Sequence, residues 1–268
     1  MKKSHSLRRL AAGLCLLAST LATPSPAQTT GPQQLVFAGL LGASNSTQTA
    51  QFNAVQSDAS GNLYLLLDQK DGIRLLKTDA TATTILAQTQ LGAAGDIGLA
   101  MALDPSGNLY ITGAANSGTL ATTSGAAFPV ATGTSNAFIA KFDPNLNPIF
   151  LTYAGTGGLS VTGIAATVDA VFVTGSIFGS TLPVTPPAII QSPAAGSLQN
   201  GFVERFNATG ITLIYATYLS GQNGNTEPAA ITADSSDNAY ITGFTTSSGY
   251  PTLNALIPEI IPNTPNIT

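Results

Sequence analysis

The chain has 268 residues, only 8% of them charged against roughly 25% in an average soluble protein, and a formal net charge of −4. Nine cations, four of them within the first nine residues, leave no basic footprint for nucleic acid or for an anionic membrane surface. Disorder is excluded by a hydrophobic content of 44%, which falls in short runs bounded by turn residues.

Residues 1–27 have the layout of a secretory signal peptide. Lys2, Lys3, Arg8 and Arg9 form a positive start, Leu10 to Leu21 an apolar run, and Ser25-Pro26-Ala27 a small-residue cleavage site before Gln28. The run is roughly 12 residues, short of the roughly 20 that span a bilayer, so cleavage leaves no membrane insertion. The only Cys, Cys15, and the only His, His5, leave with it. The expected mature chain then has 9 − 4 = 5 cations and 13 anions, a net charge of 5 − 13 = −8. It has no Ser-His-Asp or Cys-His pair, no Cys or His to hold zinc, and no disulfide. The nearest approach to a phosphate loop, Gly155-Thr-Gly-Gly158, reads as a turn.

From residue 34 onward the chain repeats. Asp104-Pro-Ser-Gly-Asn-Leu-Tyr-Ile-Thr-Gly113 returns as Asp234-Ser-Ser-Asp-Asn-Ala-Tyr-Ile-Thr-Gly243. Asp58-Ala-Ser-Gly-Asn-Leu-Tyr64 is an earlier copy, and Val168-Asp-Ala-Val-Phe-Val-Thr-Gly175 a shortened one. Each reads as a β-hairpin. Gly-Asn or Asp-Asn tolerates positive φ in the turn, the leading Asp bonds the turn backbone, and the aromatic begins the next strand.

Two further strands recur. Asn136-Ala-Phe-Ile-Ala-Lys-Phe-Asp143 matches Asn200-Gly-Phe-Val-Glu-Arg-Phe-Asn207, with Arg74 to Asp79 as a weaker copy. Pro148 to Gly155 matches Thr212 to Gly221, with Thr84 to Gly92 and Gln34 to Gly42 in the same place earlier. Long loops, 114–136 and 176–200, carry Phe128-Pro129 and Leu182-Pro183, and Tyr250-Pro251 follows in the last unit. These pairs are expected to plug a blade edge or the gap between blades.

The organisation read from this is a signal peptide over 1–27 and a repeat domain over 28–256. Units lie near 34–83, 84–147, 148–211 and 212–256, before a Pro-rich tail over 257–268. Four short antiparallel strands per unit predict an all-β fold, a β-propeller of four-stranded blades, about four in number. A β-sandwich also has many short strands, but sandwiches do not repeat sequence in one fixed internal order.

The motif set Asp-x-x-Gly-Asn-x-Tyr-Ile-Thr-Gly, aromatic-Pro, Asn-Ala-Phe-Ile-Ala-Lys-Phe and Thr-Tyr-Leu-Ser-Gly resembles the bacterial SBBP repeat, a family named for a seven-bladed β-propeller. The resemblance covers residues 34–251 and is most specific in 99–155 and 201–251. It implies an exported repeat protein and brings no catalytic residues. The first unit departs from it, with Leu65-Leu66-Leu67 for Ile-Thr-Gly, and the third lacks Gly-Asn. Three complete units and a fourth without its last strand predict an incomplete propeller, a fragment or truncated product.

Carboxylates are the remaining candidates for chemistry. Asp58, Asp104 and Asp234 recur at one position and read as turn formers rather than calcium ligands or catalytic acids. Asp68 and Asp71 flank Lys70 at a hairpin tip. Glu204 and Glu227 each occur in one unit alone, which makes them the better candidates. Tyr64, Tyr110 and Tyr240 are expected to pack between blades rather than to stack on sugar. No catalytic, cofactor or metal site is assigned. The function expected is a secreted, cell-surface or periplasmic scaffold that is not an enzyme and binds a polysaccharide or an envelope protein. The alternative is a propeller hydrolase or lyase acting on sugars or lactones through converging carboxylates, with calcium.

Overall fold

The computed structural model describes residues 14–17, 37–40 and 50–256, apart from 134–135, 156, 179–181, 187, 194 and 197–198. The Pro-rich tail and most of the segment read as a signal peptide lie outside the described residues. Every regular element among these residues is a strand. β1 (Leu14–Leu17) and β2 (Phe37–Leu40) pair with each other. The first four-stranded sheet is β3 (Gln51–Ser57), β4 (Leu63–Gln69), β5 (Gly72–Thr78) and β6 (Ile85–Leu91). The second is β7 (Ile97–Leu103), β8 (Leu109–Ala114), β9 (Ala137–Phe142) and β10 (Pro148–Ala154). The third is β11 (Leu159–Ala166), β12 (Ala170–Ile177), β13 (Asn200–Asn207) and β14 (Leu213–Leu219). β15 (Thr226–Ala233) and β16 (Ala239–Thr245) form a two-stranded fourth sheet.

All pairings are antiparallel between neighbours in sequence, and the first strands β3, β7, β11 and β15 touch one another in order. The fold is therefore all-β, a row of propeller blades with their first strands innermost. The blades are phased one strand later than the repeat units. The units near 84, 148 and 212 open with the strand that closes the preceding sheet. Sequence similarity marks the period, whereas hydrogen bonding decides where a sheet starts and ends.

Each innermost strand bulges at one place: between Phe52 and Ala54, Gly98 and Ala100, Val161 and Gly163, and Pro228 and Ala230. The recurring Thr-Gly explains itself there. Gly113, Gly175 and Gly243 pair with Gly98, Val161 and Pro228 at the bulge. A Cβ on Gly113 would fall on the Ile97 carbonyl oxygen, 2.9 Å from its carbon and 3.0 Å from Gly98 Cα. The preceding threonines tie the second strand to the third. Thr112 donates to the Phe138 carbonyl and Thr174 to that of Phe202, each at 2.7 Å.

Two large cores fill the gaps between the first three blades, and a smaller one joins Ala165, Ala170 and Phe172 of the third sheet to Ile231, Ala233 and Ala239 of the fourth. One large core joins Tyr64, Leu66, Ile73 and Leu75 of the first sheet to Leu109, Phe138 and Tyr153 of the second. The other joins Tyr110, Ile139 and Phe150 to Val171, Phe202, Phe206 and Tyr218 of the third. The long loops seal the outer strands, as the aromatic-Pro reading predicts. Phe128 accepts from the Tyr153 amide at 3.0 Å and sets its ring edge-on to Phe206, 6.0 Å away. Leu182 is buried and donates to the Tyr218 hydroxyl at 2.8 Å. The first sheet has only the Lys70–Asp71 tip in that place, and its outer strand leaves Ile85 and Leu86 more than half exposed.

Candidate functional site

Antiparallel pairing puts the turns after the first and third strands of each sheet at one end, and the long loops at the other. The recurring carboxylates all lie at the turn end. Asp104 Oδ1 accepts from the Ser106 and Asn108 amides at 2.9 Å, and Oδ2 from the Asn108 side chain at 2.7 Å. Asp58 and Asp234 hold Ser60 with Asn62, and Ser236 with Asn238, in the same way. Asp143 repeats the arrangement with Asn145 and Asn147 in the β9–β10 turn. The Asp-x-x-x-Asn spacing at 143–147 was the sequence signal for it. Bonds from Asn238 pull the Asp234 carboxyl down to about 2.

In the first two blades a cation joins the turn to the aromatic beside it. Lys77 lies 3.5 Å from Asp58 and 4.8 Å from the Tyr64 ring centre. Lys141 lies 3.6 Å from Asp104 and 4.7 Å from that of Tyr110. Both ammonium groups also donate to the next blade, to the Pro144 and Ala208 carbonyls at 3.0 and 3.2 Å. Tyr64 and Tyr110 are buried between blades, whereas Tyr240 is 56% exposed and donates to Asp234 at 3.0 Å.

The third blade solves the same problem differently. It lost its Gly-Asn turn, and Arg205 replaces the lysine. Arg205 lies over Phe172 and pairs with Asp237 of the fourth sheet, which also accepts from Thr167 at 2.6 Å. Asp237 holds φ 62°, where Gly61 and Gly107 stand in the other turns.

At the loop end, Asp68 links the first two blades. Its carboxylate accepts from the Asn53 side chain at 2.5 Å and the Gly98 amide at 2.8 Å. Burial raises its pKa and these two bonds oppose the rise. Asp71 is exposed at the hairpin tip, where its backbone carbonyl accepts from Gln90. Glu204 occupies a position that is Leu76 and Ala140 in the first two blades. It is fully buried, and among the described residues neither oxygen has a hydrogen-bond partner. Burial pushes its carboxyl up to about 8, and the nearby Gly155 amide opposes this without reaching bonding geometry.

Glu227 stands apart from all of these. It is exposed at the start of β15, on a groove of about 790 Å³ between the third and fourth sheets. Ser160, Thr162, Ser176 and Gln199 line the groove, with Phe178, 48% exposed, among them. Gln199 donates to the Ser176 hydroxyl at 2.8 Å, and Thr162 to the Pro228 carbonyl at 2.7 Å. The lining mixes hydroxyl and amide groups and one carboxylate with the apolar surface of Phe178, Pro228, Ala229 and Phe244. Sequence reading singled out Glu227 alone, because the other residues come from separate segments outside the repeat motifs. Among the described residues no three acidic side chains form a group fit to hold a metal.

Tandem four-stranded antiparallel sheets with adjacent innermost strands define the class as a β-propeller of repeat blades. Within it, residues 214–251 match the family model described as SBBP, beta-propeller repeat, so the chain carries that repeat from β14 through Pro251. No curated protein matches the sequence. Among solved structures the chain is similar to a luciferin-regenerating enzyme, at 12% identity and a TM-score of 0.37, over 73% of this chain. The chain spans 58% of that protein's length.

Proposed function

We propose that this is an exported, non-catalytic scaffold that binds neutral polysaccharide in the groove between the third and fourth blades. The observation that carries the reading is the lining itself. Ser160, Ser176 and Gln199 offer hydroxyl and amide groups to a polyol, and Phe178 offers a ring face for a sugar. A mature charge of −8 disfavours acidic polymers. Glycoside hydrolysis ordinarily needs a second carboxylate opposite the first, and Glu227 is the one acidic residue of the lining. Asp58, Asp104 and Asp234 are spent in turns at the opposite end of the sheets.

Export rests on the charged, apolar and small-residue segments of 1–27. N-terminal sequencing of the protein recovered outside the cytoplasm is expected to start at Gln28; a chain retained in the cytoplasm with Met1 intact removes that part of the proposal. Binding is tested by affinity electrophoresis of the mature chain in gels of neutral polysaccharides. The expected result is retardation by at least one polymer, weakened by Phe178→Ala and Gln199→Ala. No retardation by any polymer overturns the reading, and product formation lost on Glu227→Gln replaces it with an enzyme.

A further inference from the structure

Glu204 is a buried acid that the turns, the cations and the groove leave unused. On β13 it shares a face with Phe202 and Phe206, toward the core between the second and third sheets. Val173 and Ala216 lie across from it on β12 and β14. Leu76 and Ala140 hold the corresponding places in the first two sheets, so of these three places this one alone can take up or release a proton.

The boundary of that core is thinnest at the connection from β10 to β11. A Cβ on Gly155 would lie 3.1 Å from Glu204 Oε1 and 2.6 Å from Leu159 Cδ1, so Gly155 sits between the acid and the first residue of β11. Gly157 and Gly158 follow with no side chain to anchor them. Leu159 pairs with Ile177, and the Phe178 amide donates to the Gly158 carbonyl at 3.1 Å. Phe178 in turn lines the groove between the third and fourth sheets.

We propose that the proton on Glu204 latches the joint between the second and third blades, and that its loss frees the β10–β11 connection and unseats Phe178 in the groove. An ionised carboxylate without a partner in an apolar core is strongly unfavourable, and admitting water at the weakest boundary relieves it. The flanking strands cannot part instead. β12 is bonded on both edges by β11 and β13, and the 176–200 loop ties down β14, where the Tyr218 amide donates to the Ile190 carbonyl at 3.1 Å. Burial, opposed by the Gly155 amide, sets the acid's titration near 8, so the latch is closed in mild acid and opens as pH rises through that value. β11, β12 and the loops 114–136 and 176–200 hold no ionisable side chain. The ionisable members of the core are Tyr110, whose phenol burial holds above its ordinary range, and Tyr218, which accepts from the Leu182 amide. Lys141 pairs with Asp104, and Arg205 with Asp237 on the opposite face of β13.

The chain has no tryptophan, so Phe178→Trp supplies a single reporter. Acrylamide quenching of its emission in the full chain is read at pH 6 and pH 9, alone and combined with Glu204→Gln or with Glu204→Leu, the residue type of the first sheet. The quenching constant is expected to rise about threefold at pH 9 with Glu204 present, at unchanged far-ultraviolet circular dichroism, and to stay level in both combinations. A constant that does not move with pH, or that moves equally in the combinations, overturns the proposal, as does a rise accompanied by loss of the strand signal. The reporter needs no polysaccharide, so the latch is decided even where the groove binds none; only its consequence for binding rests on the function proposed above.

Discussion

Gly113→Ala probes the joint on which each blade turns. The new Cβ would land on the Ile97 carbonyl oxygen and lie 2.9 Å from its carbon and 3.0 Å from Gly98 Cα. These are backbone atoms of β7, so no rotamer change relieves the overlap. β7 must withdraw from β8 at the bulge. Overpacking of this kind costs roughly 1–3 kcal/mol, and a weakened ladder hydrogen bond adds about 1 kcal/mol. A loss of about 3 kcal/mol lowers the melting temperature by about 6–12 °C for a domain of this size. Thermal unfolding followed by circular dichroism measures it. Gly118→Ala is the control: its Cβ meets open space, and its φ of 67° alone costs about 1 kcal/mol. If the two variants melt together, the bulge does not require glycine and the reasoning fails.

Glu204→Gln tests the buried acid. Its carboxyl titrates near 8 when folded and near 4.5 otherwise, so the folded chain holds a proton that the unfolded chain releases. Its contribution to stability is fully present below about 4.5 and is lost by about 1.4 kcal/mol per pH unit up to about 8. The glutamine variant loses this slope, read as denaturant midpoints at pH 5 and pH 8; a parent and variant that change in parallel refute it. Asp237→Gly restores the residue found in the other turns and relieves a positive φ, yet it strips Arg205 of its carboxylate. It is expected to destabilise the parent by about 1–2 kcal/mol and to stabilise an Arg205→Met background. A destabilisation of the same size in both backgrounds contradicts the pairing. Lys141→Met leaves Asp104, itself buried, without its cation and is expected to cost about 2–4 kcal/mol by urea unfolding, whereas Lys70→Met at an exposed tip costs nothing measurable.

The blade chemistry was legible because it is local. Asp104, Asn108, Tyr110, Thr112 and Gly113 each act within one strand-turn-strand segment, so their spacing survives from copy to copy. The phase of the sheets was not legible. Gln34 to Gly42 and Thr84 to Gly92 look alike in sequence, and only hydrogen bonding shows that Ile85–Leu91 closes the first blade. The partnership of Arg205 with Asp237 was hidden for a related reason. It crosses between blades, and its two departures from the repeat, arginine for lysine and aspartate for glycine, gain meaning only when brought together. The groove is least legible of all. Ser160, Gln199 and Glu227 come from three segments and belong to no repeated motif, so only the tertiary arrangement assembles them.

Binding in that groove is proposed to occur without turnover. Isothermal titration of a polysaccharide that retards the mature chain, into that chain at fixed concentration, reads both properties at once. Heats that saturate, return to baseline after every injection and disappear with Phe178→Ala are expected. Heat that continues after injection in proportion to protein, and stops with Glu227→Gln, would contradict it.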